Sequence, residues 1–213
     1  MKSIAKSNII YFSVLLAVTY ALIALTNYYI LTLDFYQNSG SVLSGVPGHN
    51  IDIYENMKKW IYFSAAIYLL VKLFIISLIF YTALYLSGEA VGLGQLFKIA
   101  LLAEYIFLIP AVVKIIWFHY YYPGASLMDW HKTYVLSALS IFNNVPGDWY
   151  YALQTLNVFE IAYWFILAFG ISSVSSLSYD RSLRIVVTSY LPALFIWICL
   201  VSFMSLMLFP GTA

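Results

Sequence analysis

Few side chains in this sequence could do chemistry, and four of them stand inside long apolar runs: Lys72, Glu104, Lys114 and Glu160. A charge at membrane depth is costly, so such groups are normally paired or belong to a proton or ion pathway. Taking the runs as helices of alternating direction, depth can be counted at about 1.5 Å per residue. Lys72 then falls near the midplane and Glu104 roughly one turn nearer the N-terminal side, within reach of a lysine stem. Lys114 and Glu160 fall at matching levels close to the opposite interface. The spacing therefore predicts two interhelical pairs, Lys72–Glu104 and Lys114–Glu160. Such pairs either fix helix register, with terminal lysines partly snorkelling, or form a relay through the bundle. Both readings stay open on the residues alone.

Other chemistry finds little support. No His-Glu-x-x-His zinc helix, Gly-x-Ser-x-Gly elbow, P-loop or Cys-x-x-Cys pair occurs. The glycines at 88, 92 and 94 lack dinucleotide spacing and read as a turn, and Tyr179-Asp180 has no partner aspartate motif. His119, Asp129 and His131 are the one grouping that could hold a metal or serve a hydrolase, but their spacing matches no ligand pattern. No catalytic residue, metal or cofactor is expected. Cys199 stands alone in an apolar run, which excludes a disulfide framework.

The elements that position these groups follow from composition. Hydrophobic residues make up 63% of the 213 residues and charged ones 9%, with a mean hydropathy of +0.88. A water-facing surface needs about 25% charged residues, so the expected solvent is lipid. A net charge of +1 gives no field for nucleic acid. A spanning helix needs about 20 mostly apolar residues, and five runs qualify: 9–31, 60–85, 96–118, 158–177 and 183–209. The first is read as a retained span and not a cleaved signal, because its apolar run is too long. Pro110 and Pro192 are expected to kink their helices without breaking them. Val135, Ala138, Leu139 and Phe142 share helical spacing, which predicts a short helix over 129–142, interfacial or re-entrant. The predicted fold is all-α: a polytopic transmembrane helix bundle of five spanning helices plus that short helix, in one membrane domain.

Small residues recur every fourth position at Ala17 and Ala21, and at Ala168, Ser172 and Ser176 beside Gly170. Such stripes predict close helix packing, more within the bundle than in a dimer. Lys2, Lys6, Lys98, Arg181 and Arg184 would lie at one membrane face. Trp60, Trp117, Trp130, Trp149 and Tyr120 to Tyr122 would form an aromatic belt at the other. The basic face is expected inside, so the N-terminus is cytoplasmic and the C-terminus outside, in a bacterial cytoplasmic (inner) membrane.

Two segments carry a family likeness. The first is Gly88-Glu89-Ala90-Val91-Gly92-Leu93-Gly94-Gln95-Leu96-Phe97-Lys98, leading into a helix with Tyr105 and Pro110. The second is Leu156-Asn157-Val158-Phe159, followed by Trp164, Leu167, Gly170, Ser175 and a basic link at Arg181 to Arg184. From about Trp60 onward the chain resembles the Yip family of multi-pass membrane proteins, in a bacterial-type form. The resemblance implies five spans with a cytoplasmic N-terminus and supplies no catalytic residues. Eukaryotic members carry a cytosolic region ahead of the spans and associate with small GTPases. Only residues 1–8 stand there in this chain, so small-GTPase binding is not expected.

The function expected is non-enzymatic: a membrane scaffold or accessory subunit that binds other membrane proteins, itself or lipid. The alternative is a small transporter or channel subunit using Lys72 and Glu104. A third class, an intramembrane enzyme, would have to build on His119, Asp129 and His131.

Overall fold

A bilayer core holds no water to satisfy an open backbone, so apolar runs of this length must close their own hydrogen bonds as helices. The computed structural model describes residues 2–32, 35, 50–122, 127–142, 145–146 and 149–208. Among them the regular structure is helical, apart from one isolated antiparallel bridge between Ser137 and Asn157. In chain order the helices are α1 (Lys2–Tyr29), α2 (Asn50–Leu86), α3 (Leu93–Glu104) and α4 (Leu108–Tyr121). After these come α5 (Leu127–Lys132), α6 (Tyr150–Thr155), α7 (Val158–Val174), α8 (Tyr179–Ile185) and α9 (Leu191–Leu208). A 3-10 turn, Tyr105–Phe107, joins α3 to α4, and a π-helical segment, Val186–Tyr190, joins α8 to α9.

Among the described residues, four helical stretches are long and apolar enough to cross a membrane: Ala5–Tyr29, Lys58–Leu86, Leu93–Tyr121 and Tyr179–Met204. The chain is an all-helical, membrane-embedded protein. The expected fourth span, 158–177, is apolar but closes as a helix of 17 residues at Val174. Its last turn ends where Ser175 becomes extended and Ser176 turns its N–H and hydroxyl to Glu89.

Contacts between distant residues fix the relative directions. Asn8 donates to the Gly94 carbonyl (3.0 Å), Tyr105 Oη donates to the Tyr11 carbonyl (2.8 Å), and Tyr29 meets His119, so α1 runs parallel to α3–α4. Tyr20 Oη donates to the Tyr62 carbonyl (3.1 Å), setting α2 against α1. Ser176 meets Glu89 at one end of α7 and Glu160 meets Tyr190 at the other, so α7 runs antiparallel to α3 and α8–α9 runs back. Successive long segments therefore alternate in direction. One end gathers Lys6, Lys98, Arg181 and Arg184; the other carries Trp60, Trp117 and Trp130.

Helix α3 is the hub, packed against α1, α2 and α7. Its Leu96, Ile99, Ala100, Leu101 and Ala103 meet Leu69, Leu73, Ile76, Phe80 and Leu84 of α2 and Tyr163, Leu167, Ala168 and Ile171 of α7. On α2 the steps are three and four residues, which place Leu69, Leu73, Ile76, Phe80 and Leu84 on one face, whereas α3 is buried on more than one side. The outside is apolar as well: Phe169, Phe195, Ile196 and Phe203 are all at least 60% exposed. In water such a surface would be a continuous sticky patch; in lipid it is solvated.

Three local features differ from the sequence expectation. Helix α2 begins at Asn50, ten residues before the expected start at 60, because no proline or glycine between 50 and 86 breaks a helix. It stops in a Schellman motif: Gly88, at φ 83, donates to the Tyr85 carbonyl and Glu89 to the Leu84 carbonyl. The expected single helix over 129–142 is also corrected. It is split into α5 and a 3-10 turn at Ala138–Ser140, because the stretch between them carries β-branched Thr133 and Val135 and turns through Leu136 at φ 55. There it pairs with the approach to α7, Ala138 N–H donating to the Leu156 carbonyl and Val158 N–H to that of Leu136. The loop residues 36–49, the breakers Pro123-Gly124 and Asn143-Asn144, and residue 209 lie outside the described residues.

Both prolines act upstream of themselves. Pro110 has no N–H for the Ile106 carbonyl, and the turn at Tyr105–Phe107 winds as 3-10. Pro192 leaves the Thr188 carbonyl without its helical donor, and Val186–Tyr190 widens into a π turn.

Candidate functional site

The bundle core is polar at one level. Lys72 stands on α2 between Leu69 and Ile76, and Glu104 closes the buried face of α3 after Ala100 and Leu101. Lys72 Nζ donates to Glu104 Oε1 at 2.5 Å, with the two side chains 22% and 8% exposed. The ammonium also lies 4.4 Å from the centre of the Phe107 ring and 5.7 Å from that of Tyr163. Ring faces attract a cation most strongly where water is absent. Phe107 reaches this position on the 3-10 turn ahead of Pro110. The second carboxylate oxygen, Glu104 Oε2, and the Tyr163 hydroxyl are buried without a hydrogen-bond partner.

Glu160 occupies the first turn of α7, where Asn157 caps the helix by accepting from the Glu160 N–H at 2.8 Å. Its Oε1 accepts from Trp164 Nε1 (3.0 Å), one turn on, and from the Tyr190 hydroxyl (2.9 Å). Tyr190 ends the π segment. Its ring stacks on Phe80 and tilts against Tyr163, which in turn packs on Phe107. A continuous run of rings, Phe107–Tyr163–Tyr190, thus joins the Lys72–Glu104 pair to Glu160.

The expected Lys114–Glu160 pair is corrected. Lys114 lies instead against two aromatic rings, its Nζ 4.2 Å from the centre of the Trp130 ring and 4.8 Å from that of Tyr134. Trp130 of α5 and Tyr134 beyond it offer Lys114 aromatic faces, while the Glu160 carboxylate is engaged by Trp164 and by Tyr190 of the π segment.

The proposed metal or hydrolase grouping does not assemble around His119, whose ring meets the edges of Tyr29 and Tyr120. The His131 side chain lies outside the described ones. Among the described residues no three His, Cys, Asp or Glu side chains gather as a metal-holding group.

The small residues divide. Gly170 meets Ile99 so closely that a Cβ there would lie 2.4 Å from Ile99 Cγ2, and Ala168 is fully buried. Ser172 is half-buried and bonds back to the Phe169 carbonyl. Ser176 is exposed beyond the helix end, holding Glu89. Ala17 and Ala21 are exposed, so that stripe faces away from the bundle and not into it, a correction. Helix α1 is instead held by Leu15, by bonds that Asn8 and Tyr20 donate, and by the Tyr105 hydroxyl donating to the Tyr11 carbonyl.

Phe107, Tyr163 and Tyr190 were not anticipated as part of the site. Trp164 could have been, because residues four apart on a helix are neighbours. Tyr190 could not, because its reach depends on the π turn. The arrangement holds one cation and two carboxylates against a run of aromatic rings, with Lys72 partly and Glu104 almost fully buried. No protein-family model, curated protein or solved structure matches the chain.

Proposed function

We propose that the chain crosses the membrane five times, with its N-terminus in the cytoplasm and its C-terminus outside, in a bacterial cytoplasmic membrane. It acts there as a non-enzymatic scaffold or accessory subunit that binds other membrane proteins, a second copy or lipid. The alternating directions of α1, α2, α3–α4, α7 and α8–α9 support five crossings. The 17 residues of α7 make about 26 Å, short of a hydrocarbon core of about 30 Å by a mismatch that local thinning accommodates. The Yip-like motifs argue for the same topology and stay a proposal of kinship.

The observation that carries the non-enzymatic reading is the closure of the Lys72–Glu104 pair by Phe107 and Tyr163: the charges are spent on each other. Meanwhile α1 and α9 leave broad apolar faces outward. Photo-crosslinking in cells from Val18 on α1 and Phe195 on α9, with capture in mild detergent, tests this. Defined protein adducts are expected; a strict monomer with none removes the basis of the reading.

A second reading, a proton-coupled transporter, is favoured by the buried, unpartnered Glu104 Oε2 and Tyr163 hydroxyl, which a transient water could join. Proton flux in liposomes that Glu104→Gln abolishes would establish it. Flux that is absent or unchanged in that variant eliminates it.

A further inference from the structure

At the basic end, the start of α1 lies beside the start of α3, tied by the bond from Asn8 Nδ2 to the Gly94 carbonyl (3.0 Å). A groove of about 280 Å³ opens there, lined by Lys6, Ser7, Ile10 and Tyr11. Lys98 of α3 reaches the same place, its Nζ 5.5 Å from the centre of the Tyr11 ring. Lys6 is exposed, and Ile10 is 53% exposed beneath it. The groove thus carries the Lys6 ammonium and the Ser7 hydroxyl in its lining beside apolar Ile10, with the Lys98 ammonium next to it against the Tyr11 ring. The apolar stretch of α1 begins at Ala5, which puts Lys6 at the start of the lipid-facing run and Ile10 one turn further along it.

We propose that this groove binds the headgroup phosphate of an anionic phospholipid, with one acyl chain lying along Ile10 and Val14. Lys6 and Lys98 supply positive charge from two different helices, and Ser7 supplies a hydroxyl donor. A free phosphate has no use for the apolar residue beside it, and a zwitterionic lipid brings a cation that the lysines repel. Glu89, an acid at this end, is engaged by Ser176. The inference rests only on membrane embedding and is independent of whether the chain has protein partners. A lipid bound here would also clamp α1 to α3.

Native mass spectrometry of the full chain, with phosphatidylglycerol, phosphatidylcholine or inorganic phosphate added, tests it. Each lysine near a membrane surface contributes about a fivefold gain in anionic-lipid affinity. Lys6→Gln with Lys98→Gln should therefore weaken phosphatidylglycerol binding by about 25-fold, while Lys59→Gln at the opposite end leaves it unchanged. Equal binding of the two lipids, equal loss in the Lys59→Gln control, or competition by inorganic phosphate alone overturns the proposal. A phosphatidylglycerol with a photoreactive chain, used on the unaltered protein, guards against a variant that fails to fold. Adducts concentrated between residues 6 and 14 are expected, and adducts spread evenly over the outward helix faces overturn it. Because no protein partner enters either measurement, a failed partner search in cells leaves this result standing.

Discussion

Tyr190 donates its hydroxyl hydrogen to Glu160 Oε1 at 2.9 Å across 30 residues of sequence, in a buried contact between the π segment and α7. Both residues are under 10% exposed. A buried carboxylate left without its donors carries the full desolvation cost of that group. Tyr190 and Trp164 are therefore what make Glu160 tolerable at this depth.

Tyr190→Phe keeps the ring against Phe80 and Tyr163 and removes only the donor. It should lower stability by about 1–3 kcal/mol, read as thermal unfolding in detergent. In a Glu160→Leu background the same change should cost almost nothing. An equal cost in both backgrounds would mean that the bond contributes no coupling.

Gly170 faces Ile99 with no room for a methyl group. Gly170→Ala should push α3 and α7 apart and cost about 1–3 kcal/mol. Adding Ile99→Ala should recover part of that loss, because it removes the atoms in the way. No recovery would place the strain elsewhere.

Glu89 lies outside the spans, where hydrogen bonds from the Ser176 hydroxyl and N–H hold its carboxyl below the ordinary value of 4.5. A lowered folded value means that the contribution is present above pH 4.5 and is lost as the pH falls through the folded value. Ser176→Ala should raise the Glu89 value toward 4.5, seen by carboxyl carbon NMR titration. A titration that does not move would separate the two groups in solution.

How legible each of these features was depended on whether it is one-dimensional. Apolar run length is a property of consecutive residues, so the long helices and the embedding in lipid could be read directly. Depth can be counted along a helix, and that count put Glu104 within a lysine stem's reach of Lys72 and Lys114 level with Glu160. The direction a side chain takes around the helix axis is set by packing, and it separated the second couple while joining the first. Lys114 lies against Trp130, a contact that the polar, broken sequence between 119 and 157 gives no means to foresee. The stripe at Ala17 and Ala21 failed for a related reason: small residues permit close approach, but lipid accepts them equally well. Tyr190 was hidden because a π turn adds a residue to the helical count, moving its ring onto a face that regular spacing does not assign.

The contact between Lys72 and Glu104 is tested most directly by a double-mutant cycle on the full chain in lipid nanodiscs. Lys72→Met and Glu104→Leu should each destabilise by about 3–5 kcal/mol, since each strands one buried charge. The double variant should return close to the parent stability, because two apolar side chains fill the same space. Additive losses in the double variant, or single variants as stable as the parent, would mean that these ions do not neutralise each other inside the membrane.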